Sequence, residues 1–359
     1  MIESLRKLDR KFLIFIGCLI LIPLLLIVIL VMAQGCSRGK NDYTKYEFKM
    51  ETAAKKYLSE KDLLPSEPGE YVVAPLDALV EQSYIESPSK AIGDNTCTGY
   101  VGVRKDKKLN YRAVLTCGSY KTSTLTETLK NDLVTEGEGL YETKDGYIYR
   151  GLNVNNYLKM GNEEYRIIGI TNKNIIKIYK VESESLQLYW DSKYNINTQS
   201  NTGVNIYKDS YMVENFNNYI QTSSKFKRIK SHLVTDDVCV HSKKLDDRFM
   251  GETCKEVVSD QYITLLGLED FMNASLDPNC VDLYSKSCRN YNYLGRIGVY
   301  TWTKDIVSDN NYQVYYMSNG TPIAENTNIY EGYNFVMFID GDMVTATGSG
   351  TKAKPYVIK

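Results

Sequence analysis

The chain contains two histidines, and one of them, His241, lies two residues after Cys239. With His232 and Cys254 these side chains form a loose group of the types that bind zinc or act as nucleophiles. Zinc ligands usually follow closer spacings such as CxxC or HxxxH, and no third residue that would orient His241 can be identified. A cysteine held in a disulfide is also inert as a nucleophile. We therefore predict no metal site, no cofactor and no catalytic residue.

Three other motifs have structural interpretations that we prefer to chemical ones. The GSGTK segment at 348–352 lacks the G-x-x-x-x-G-K-[ST] spacing of a phosphate-binding loop, and no G-x-S-x-G motif occurs. The DGD segment at 340–342 could offer oxygens to Ca²⁺, but D-G is a strong hairpin-turn dipeptide. Glu269 and Asp270 could act as an acid and a base, but an acidic residue here more often starts a helix.

Aromatic residues offer one candidate binding surface. The chain has 30 Tyr, against 9 Phe and 2 Trp, and Tyr suits both half-buried strands and wet binding surfaces. Core packing would explain most of these residues equally well. The residues that we select as a possible ligand-binding patch are Trp302, Tyr315, Tyr316 and Asn319.

Six of the eight cysteines fall into neighbouring pairs along the chain, which predicts disulfide bonds in an oxidising compartment. Cys97 precedes one predicted strand and Cys117 ends the next, so an antiparallel hairpin would bring them together. Other connectivities stay open on the sequence alone. The predicted pairs are Cys97 with Cys117, Cys239 with Cys254, and Cys280 with Cys288.

The run from Phe12 to Ala33 carries no charge and is long enough to span a bilayer. Basic residues before it favour a cytoplasmic N-terminus, so we predict a single-pass cell-membrane protein whose bulk is extracellular. Cys36 follows Ala-Gln-Gly, which loosely resembles the lipidation motif of bacterial lipoproteins. An uncleaved anchor in the lipid bilayer is preferred, with lipidation at Cys36 or ordinary cleavage as alternatives.

The rest of the chain divides by pattern into a helix, a hairpin and a strand-rich region. An apolar stripe predicts a helix over 42–58, and two strands at 100–103 and 111–117 follow it. A net charge of -1 gives no argument for nucleic-acid binding. The predicted organisation is a cytoplasmic stub and transmembrane anchor at 1–40, a helix-plus-hairpin unit at 41–124, a linker at 125–140 and a β-rich extracellular domain at 141–359.

Residues 12–122 resemble bacterial pilins and pseudopilins. The resemblance rests on an apolar N-terminal helix, an amphipathic continuation (METAAKKYL) and a small disulfide-closed strand unit (CTGYVGV…YRAVLTCGSYKT). It implies a protein that can associate with itself through the N-terminal helix.

Residues 157–359 resemble the DUF6273-like surface domains of low-GC Gram-positive bacteria. The segments that carry this resemblance are YLKMGNEEYRIIGI, ITLLGLEDF, a cysteine-containing loop, a WT pair, YYMSNGTPI and the closing SGTKAKPYVIK. It implies a fold on the plan of C-type lectins and the formylglycine-generating enzyme. The Arg-Pro-Val strand frequent in that family reads NFVMFID here, so any contact made by its Arg is absent.

These observations together predict an α+β protein: a transmembrane helix, a pilin-like unit and a β-rich C-type-lectin-like domain. The expected function is that of a membrane-anchored, non-enzymatic bacterial surface protein in adhesion, ligand binding or structural display, with a glycan or a protein as ligand. The alternatives are a subunit of a pilus- or secretion-like filament and an envelope enzyme of unknown activity.

Overall fold

The computed structural model describes residues 42–67, 69–105, 108–118, 120–181, 187–244, 254–282, 284–296 and 300–358. The chain divides into two compact units, Met1–Thr122 and Ser123–Lys359.

The first unit packs one helix against an antiparallel sheet of four strands in the order β1–β2–β3–β4. Helix α1 covers residues 42–60. Its side chains Met50, Ala54 and Leu58 recur every four residues and are fully buried, which gives the helix one apolar face. The other elements are β1 Tyr71–Pro75, α2 Leu76–Glu81, α3 Pro88–Ala91, β2 Thr98–Lys105, β3 Leu109–Cys117 and β4 Tyr120–Lys121.

Disulfide bonding is confirmed among the described cysteines. In the first unit a disulfide joins Cys97 to Cys117, at the paired ends of the β2–β3 hairpin, where Thr98 lies opposite Thr116. The structure also joins the other two pairs that the sequence suggested, Cys239 with Cys254 and Cys280 with Cys288.

The second unit is built on a ten-stranded sheet whose main order is β11–β20–β9–β8–β7–β22–β21, with β15 paired to β20, β6 to β8 and β5 to β6. Its strands are β5 Gly139–Thr143, β6 Gly146–Arg150, β7 Tyr157–Met160, β8 Glu163–Thr171, β9 Ile175–Lys180, β11 Leu233–Val234, β15 Ile263–Thr264, β20 Val336–Asp340, β21 Ala346–Thr347 and β22 Tyr356–Ile358.

In the described part of this unit, smaller sheets and four α-helices complete the structure. A four-stranded sheet runs β13–β16–β17–β18, and two pairs join β10 to β19 and β12 to β14. Their bounds are β10 Gln187–Tyr189, β12 Asp236–Val240, β13 Ser242–Lys243, β14 Glu256–Gln261, β16 Tyr300–Val307, β17 Gln313–Ser318, β18 Thr321–Asn326 and β19 Tyr330–Gly332; the helices are α4 Leu125–Lys130, α5 Tyr211–Thr222, α6 Ser224–Ile229 and α7 Leu268–Asn273.

The centre of the large sheet is buried on both faces. All five residues of β20 are buried, and β9 is buried at every position except Lys177. Strands of this kind read as nearly continuous apolar runs, as NFVMFID and IIKIYK do. Phe216 of α5 packs on Phe335 at a centroid distance of 5.6 Å, so the helix covers one side of the core.

Strand β22 pairs with β7 in parallel, with Tyr356 opposite Leu158. It also pairs with β21 in an antiparallel hairpin, so it lies inside the sheet and not at its edge. The sheet therefore unites strands from distant parts of the sequence.

The linker predicted at 125–140 is wrong. Residues of this segment form α4 and the start of β5, and the side chains of Leu125, Leu129 and Leu140 lie in the core of the second unit. Thr124 and Glu127 cap the helix reciprocally, and the Leu125 amide donates to the carbonyl of Val344. The polar composition concealed an amphipathic helix with leucines four residues apart.

The predicted fold class and single-pass membrane placement also need correction. The described residues form a β-rich structure, and none of their helices combines the length and apolar character needed to cross a bilayer. The predicted span Phe12–Ala33 and the candidate lipidation site Cys36 lie outside the described residues.

We expect Ile178→Ala to destabilise the second unit by about 2–5 kcal/mol, because it removes a fully buried side chain between strands β8 and β20. The matched variant Ile196→Ala changes a side chain that is 79% exposed and should change stability by less than about 0.5 kcal/mol. Urea unfolding of both variants measures the difference. Equal effects would contradict the assignment of β9 to the core.

Candidate functional site

A cleft of about 420 Å³ opens on the second unit beside the turn between β5 and β6. Strands β6, β8 and β9 and helix α7 supply the rest of its lining. Gly169 keeps β8 close to β6, because a Cβ there would lie 2.3 Å from the carbonyl oxygen of Tyr147. The charged residues of the lining are Lys144, Asp145, Arg150, Lys177, Glu269 and Asp270.

Helix α7 places its two acidic residues in different roles. Asp270 accepts a hydrogen bond of 2.7 Å from the Gly267 amide at the N-terminus of α7. This agrees with the expectation that an acidic residue here starts a helix. Both of its carboxylate oxygens also lie 2.7 Å from the Lys177 ammonium. Glu269 instead faces a second group of charges, formed by Lys304, Asp305 and His241. Its side chain remains 35% exposed.

This second group depends on a bulge in strand β16. Lys304 and Asp305 are consecutive residues, yet both are almost fully buried, at 3% and 0% exposure. On a regular strand they would point to opposite faces of the sheet. The register against β17 shifts between Trp302 and Ile306, and bulges of this kind re-aim side chains.

Buried hydrogen bonds hold both charges in place. The Asp305 carboxylate accepts from the Leu268 amide at 2.6 Å and from the His241 amide at 3.1 Å. The Lys304 ammonium donates to the Cys239 carbonyl at 2.5 Å and lies 3.5 Å from a carboxylate oxygen of Glu269. The Lys304 and Asp305 charges are themselves 3.6 Å apart. Three separate segments thus converge on one ion pair.

The electrostatics favour the ionised form of both residues. Burial alone would raise the pKa of Asp305, but the charges of Lys304 and His241 and hydrogen bonds from His241 and the Leu268 amide lower it to about 2. Burial would also lower the pKa of Lys304, but the carboxylates of Asp305, Glu269 and Asp270 raise it above its ordinary value. The pair is therefore charged at neutral pH.

His241 lies between the disulfide and the carboxylates. Its Nε2 is 3.3 Å from the Cys239 sulfur and 3.5 Å from Glu269 Oε2, and its Nδ1 is 3.4 Å from Asp305 Oδ1. The side chain is 6% exposed, so a molecule in the cleft would meet Glu269 before it met the imidazole. His232 lines a different cavity, of about 350 Å³, with Glu163.

The aromatic binding patch predicted from the sequence is wrong. Trp302 and Tyr315 are fully buried and Tyr316 is 8% exposed, because strands β16 and β17 lie in the core. The Trp302 indole donates to the Leu188 carbonyl, and Tyr315 donates to the Lys244 carbonyl. Asn319 is exposed but occupies the tight turn between β17 and β18.

The charged residues beside His241 were missed by the sequence analysis. The available signal was the Lys304–Asp305 pair inside TWTKDIV, where two charges interrupt a run of strand-forming residues. Glu269 was considered only with Asp270. The contact between Glu269 and His241 joins residues 28 positions apart in the sequence, so no local sequence pattern predicts it.

We expect Asp305→Asn to destabilise the protein by about 3–5 kcal/mol at neutral pH, because Lys304 would lose a buried partner. The folded pKa of about 2 lies below the ordinary 3.8. The stabilisation by ionised Asp305 is therefore complete above that ordinary value and is lost as pH falls through about 2. Urea unfolding across this acidic range should show this loss in the native protein and not in the variant. The exposed Asp309→Asn serves as control, and the same acid dependence in Asp305→Asn would contradict the assignment.

Comparison with known proteins provides no relative for this arrangement. No family model matches the chain, no curated protein matches it, and no solved structure matches it. The resemblances to pilins and to DUF6273-like surface domains therefore stay predictions.

Proposed function

We propose that the second unit is a non-enzymatic binding module that takes a small, uncharged, hydroxyl-rich ligand of the carbohydrate class in the cleft. The observation that carries the proposal is the mixed lining of this cleft, where Lys144 and Arg150 face the same space as Asp145 and Glu269. A strongly anionic ligand would meet the carboxylates, and a strongly cationic one would meet the basic groups. Hydroxyl groups both donate and accept hydrogen bonds, so they suit both kinds of residue.

The rigidity of the lining supports this function. Lys177 and Asp270 are fixed by their ion pair, and Glu269 is held near Lys304 and His241. The ring of Tyr147 adds an aromatic surface that also receives the Lys130 ammonium at 4.6 Å from its centroid. Preorganised polar groups lose little entropy on binding, which favours affinity for a small ligand.

Asn273 provides a test, because its exposed side chain lies at the end of α7 and lines the cleft. We expect the native chain to bind members of a glycan array and to give one site by isothermal titration calorimetry. Asn273→Trp would fill the cleft and should weaken binding at least about tenfold, or about 1.4 kcal/mol. Asn197→Trp, at an exposed position outside the lining, should bind like the native chain. Absence of glycan binding, or equal binding by both variants, would overturn the proposal.

A second candidate is hydrolysis with Glu269 as general acid–base. It is favoured by one observation: Glu269 lines the cleft and also lies 3.5 Å from both the His241 imidazole and the Lys304 ammonium. Under this alternative a bound saccharide would be cleaved, and Glu269→Gln would abolish cleavage while retaining binding. Binding without turnover in the native chain excludes it. The filament alternative depends on the predicted N-terminal helix, which lies outside the described residues, and stays a prediction.

A further inference from the structure

We propose that reduction of the Cys239–Cys254 disulfide creates a tetrahedral Zn²⁺ site. The four ligands are the two sulfur atoms, His241 Nε2 and Glu269 Oε2. This site goes beyond carbohydrate binding and does not depend on it. The sequence prediction of no metal site assumed paired cysteines, and it applies to the oxidised protein.

Two of the donor–donor distances are already close to those of a tetrahedral site. With ordinary zinc–ligand lengths, neighbouring donors of a tetrahedral site lie about 3.4–3.8 Å apart. His241 Nε2 is 3.3 Å from the Cys239 sulfur and 3.5 Å from Glu269 Oε2. The ligand atoms of Cys239, His241 and Cys254 all lie within 4.8 Å of one another. The two sulfur atoms are covalently joined, and breaking the disulfide frees them to separate around an ion.

The surroundings of His241 are those of a metal ligand. A zinc-bound histidine usually donates its other ring N–H to a carboxylate, which fixes the tautomer and the ring orientation. His241 Nδ1 is buried and lies 3.4 Å from Asp305 Oδ1, and among the described residues it has no hydrogen-bond partner of its own. Lys304 stands 3.5 Å from Glu269 Oε1, which leaves Oε2 on the histidine side.

The chemistry balances with a dithiol as reductant. The dithiol gives two electrons and two protons to the disulfide; the sulfur–sulfur bond of the protein breaks and a new one forms in the reductant. Zn²⁺ then displaces the two thiol protons, and the two thiolates and the Glu269 carboxylate outweigh the charge of the ion. Cys254 is exposed, so a reductant can attack its sulfur, whereas Cys239 is only partly exposed.

Zinc suits this ligand set better than the hard cations do. Thiolate and imidazole ligands in tetrahedral geometry select Zn²⁺, while Ca²⁺ and Mg²⁺ require six or more oxygens or octahedral oxygen shells. Reduction thus exchanges one covalent link, between β12 and the residue two positions before β14, for a metal link in the same place.

The test is titration of the full chain with Co²⁺, a spectroscopic substitute for Zn²⁺, before and after anaerobic reduction with a thiol-free phosphine. We expect the reduced chain to bind one Co²⁺ with a sulfur-to-cobalt charge-transfer band and the strong visible bands of tetrahedral Co²⁺, which Zn²⁺ displaces. The oxidised chain should show neither band. Asp305→Asn should weaken binding about 10–100-fold without changing the spectrum.

Matched variants separate this site from the Cys280–Cys288 pair. Reduced Cys239→Ser/Cys254→Ser should lose the charge-transfer band, and reduced Cys280→Ser/Cys288→Ser should keep it. The same band and stoichiometry in both double variants would overturn the proposal. A reduced native chain that binds no Co²⁺ would also overturn it. This holds if circular dichroism shows the reduced chain folded, and equally if it shows the chain unfolded and added metal does not restore the fold.

Discussion

Two consecutive side chains of β16, the ammonium of Lys304 and the carboxylate of Asp305, are held together out of contact with water. Removing such charges from water costs several kcal/mol per ion unless each finds a partner of opposite charge and further hydrogen bonds. The partners here are the Leu268 amide at the start of α7, the His241 amide and the Cys239 carbonyl. Each must keep its place, or a buried charge is left unpaired. The ion pair therefore fixes the wall of the cleft and the disulfide region together.

Much of the fold follows from local patterns. The apolar stripe at Met50, Ala54 and Leu58 marks a helix, and the structure has it over 42–60. Runs such as IIKIYK mark strands, although nothing local tells which strand pairs with which. The order of the large sheet depends on contacts between residues far apart in the sequence, such as Leu158 with Tyr356. Residues 125–130 were misinterpreted because a polar segment with only two inward leucines resembles a linker.

The candidate site was harder to predict, and the reason is geometric. Aromatic residues can form a binding surface or pack in the core, and amino-acid composition does not distinguish the two. Trp302 and Tyr315 belong to the core. Lys304 and Asp305 appear as ordinary charges until the bulge turns both inward. His241 gains its carboxylate neighbours only when α7 and β16 meet beside it. Because the site is assembled from three separate segments, no single segment has a sequence pattern that predicts it.

The parallel pairing of β22 with β7 has a consequence for biosynthesis. Leu158 leaves the ribosome roughly two hundred residues before Tyr356, its partner, and such long-range pairs form slowly. Until then β7 presents an open strand edge to other nascent chains, and exposed edges invite wrong pairing. The time for which this edge stays unpaired during translation should therefore affect the yield of folded protein.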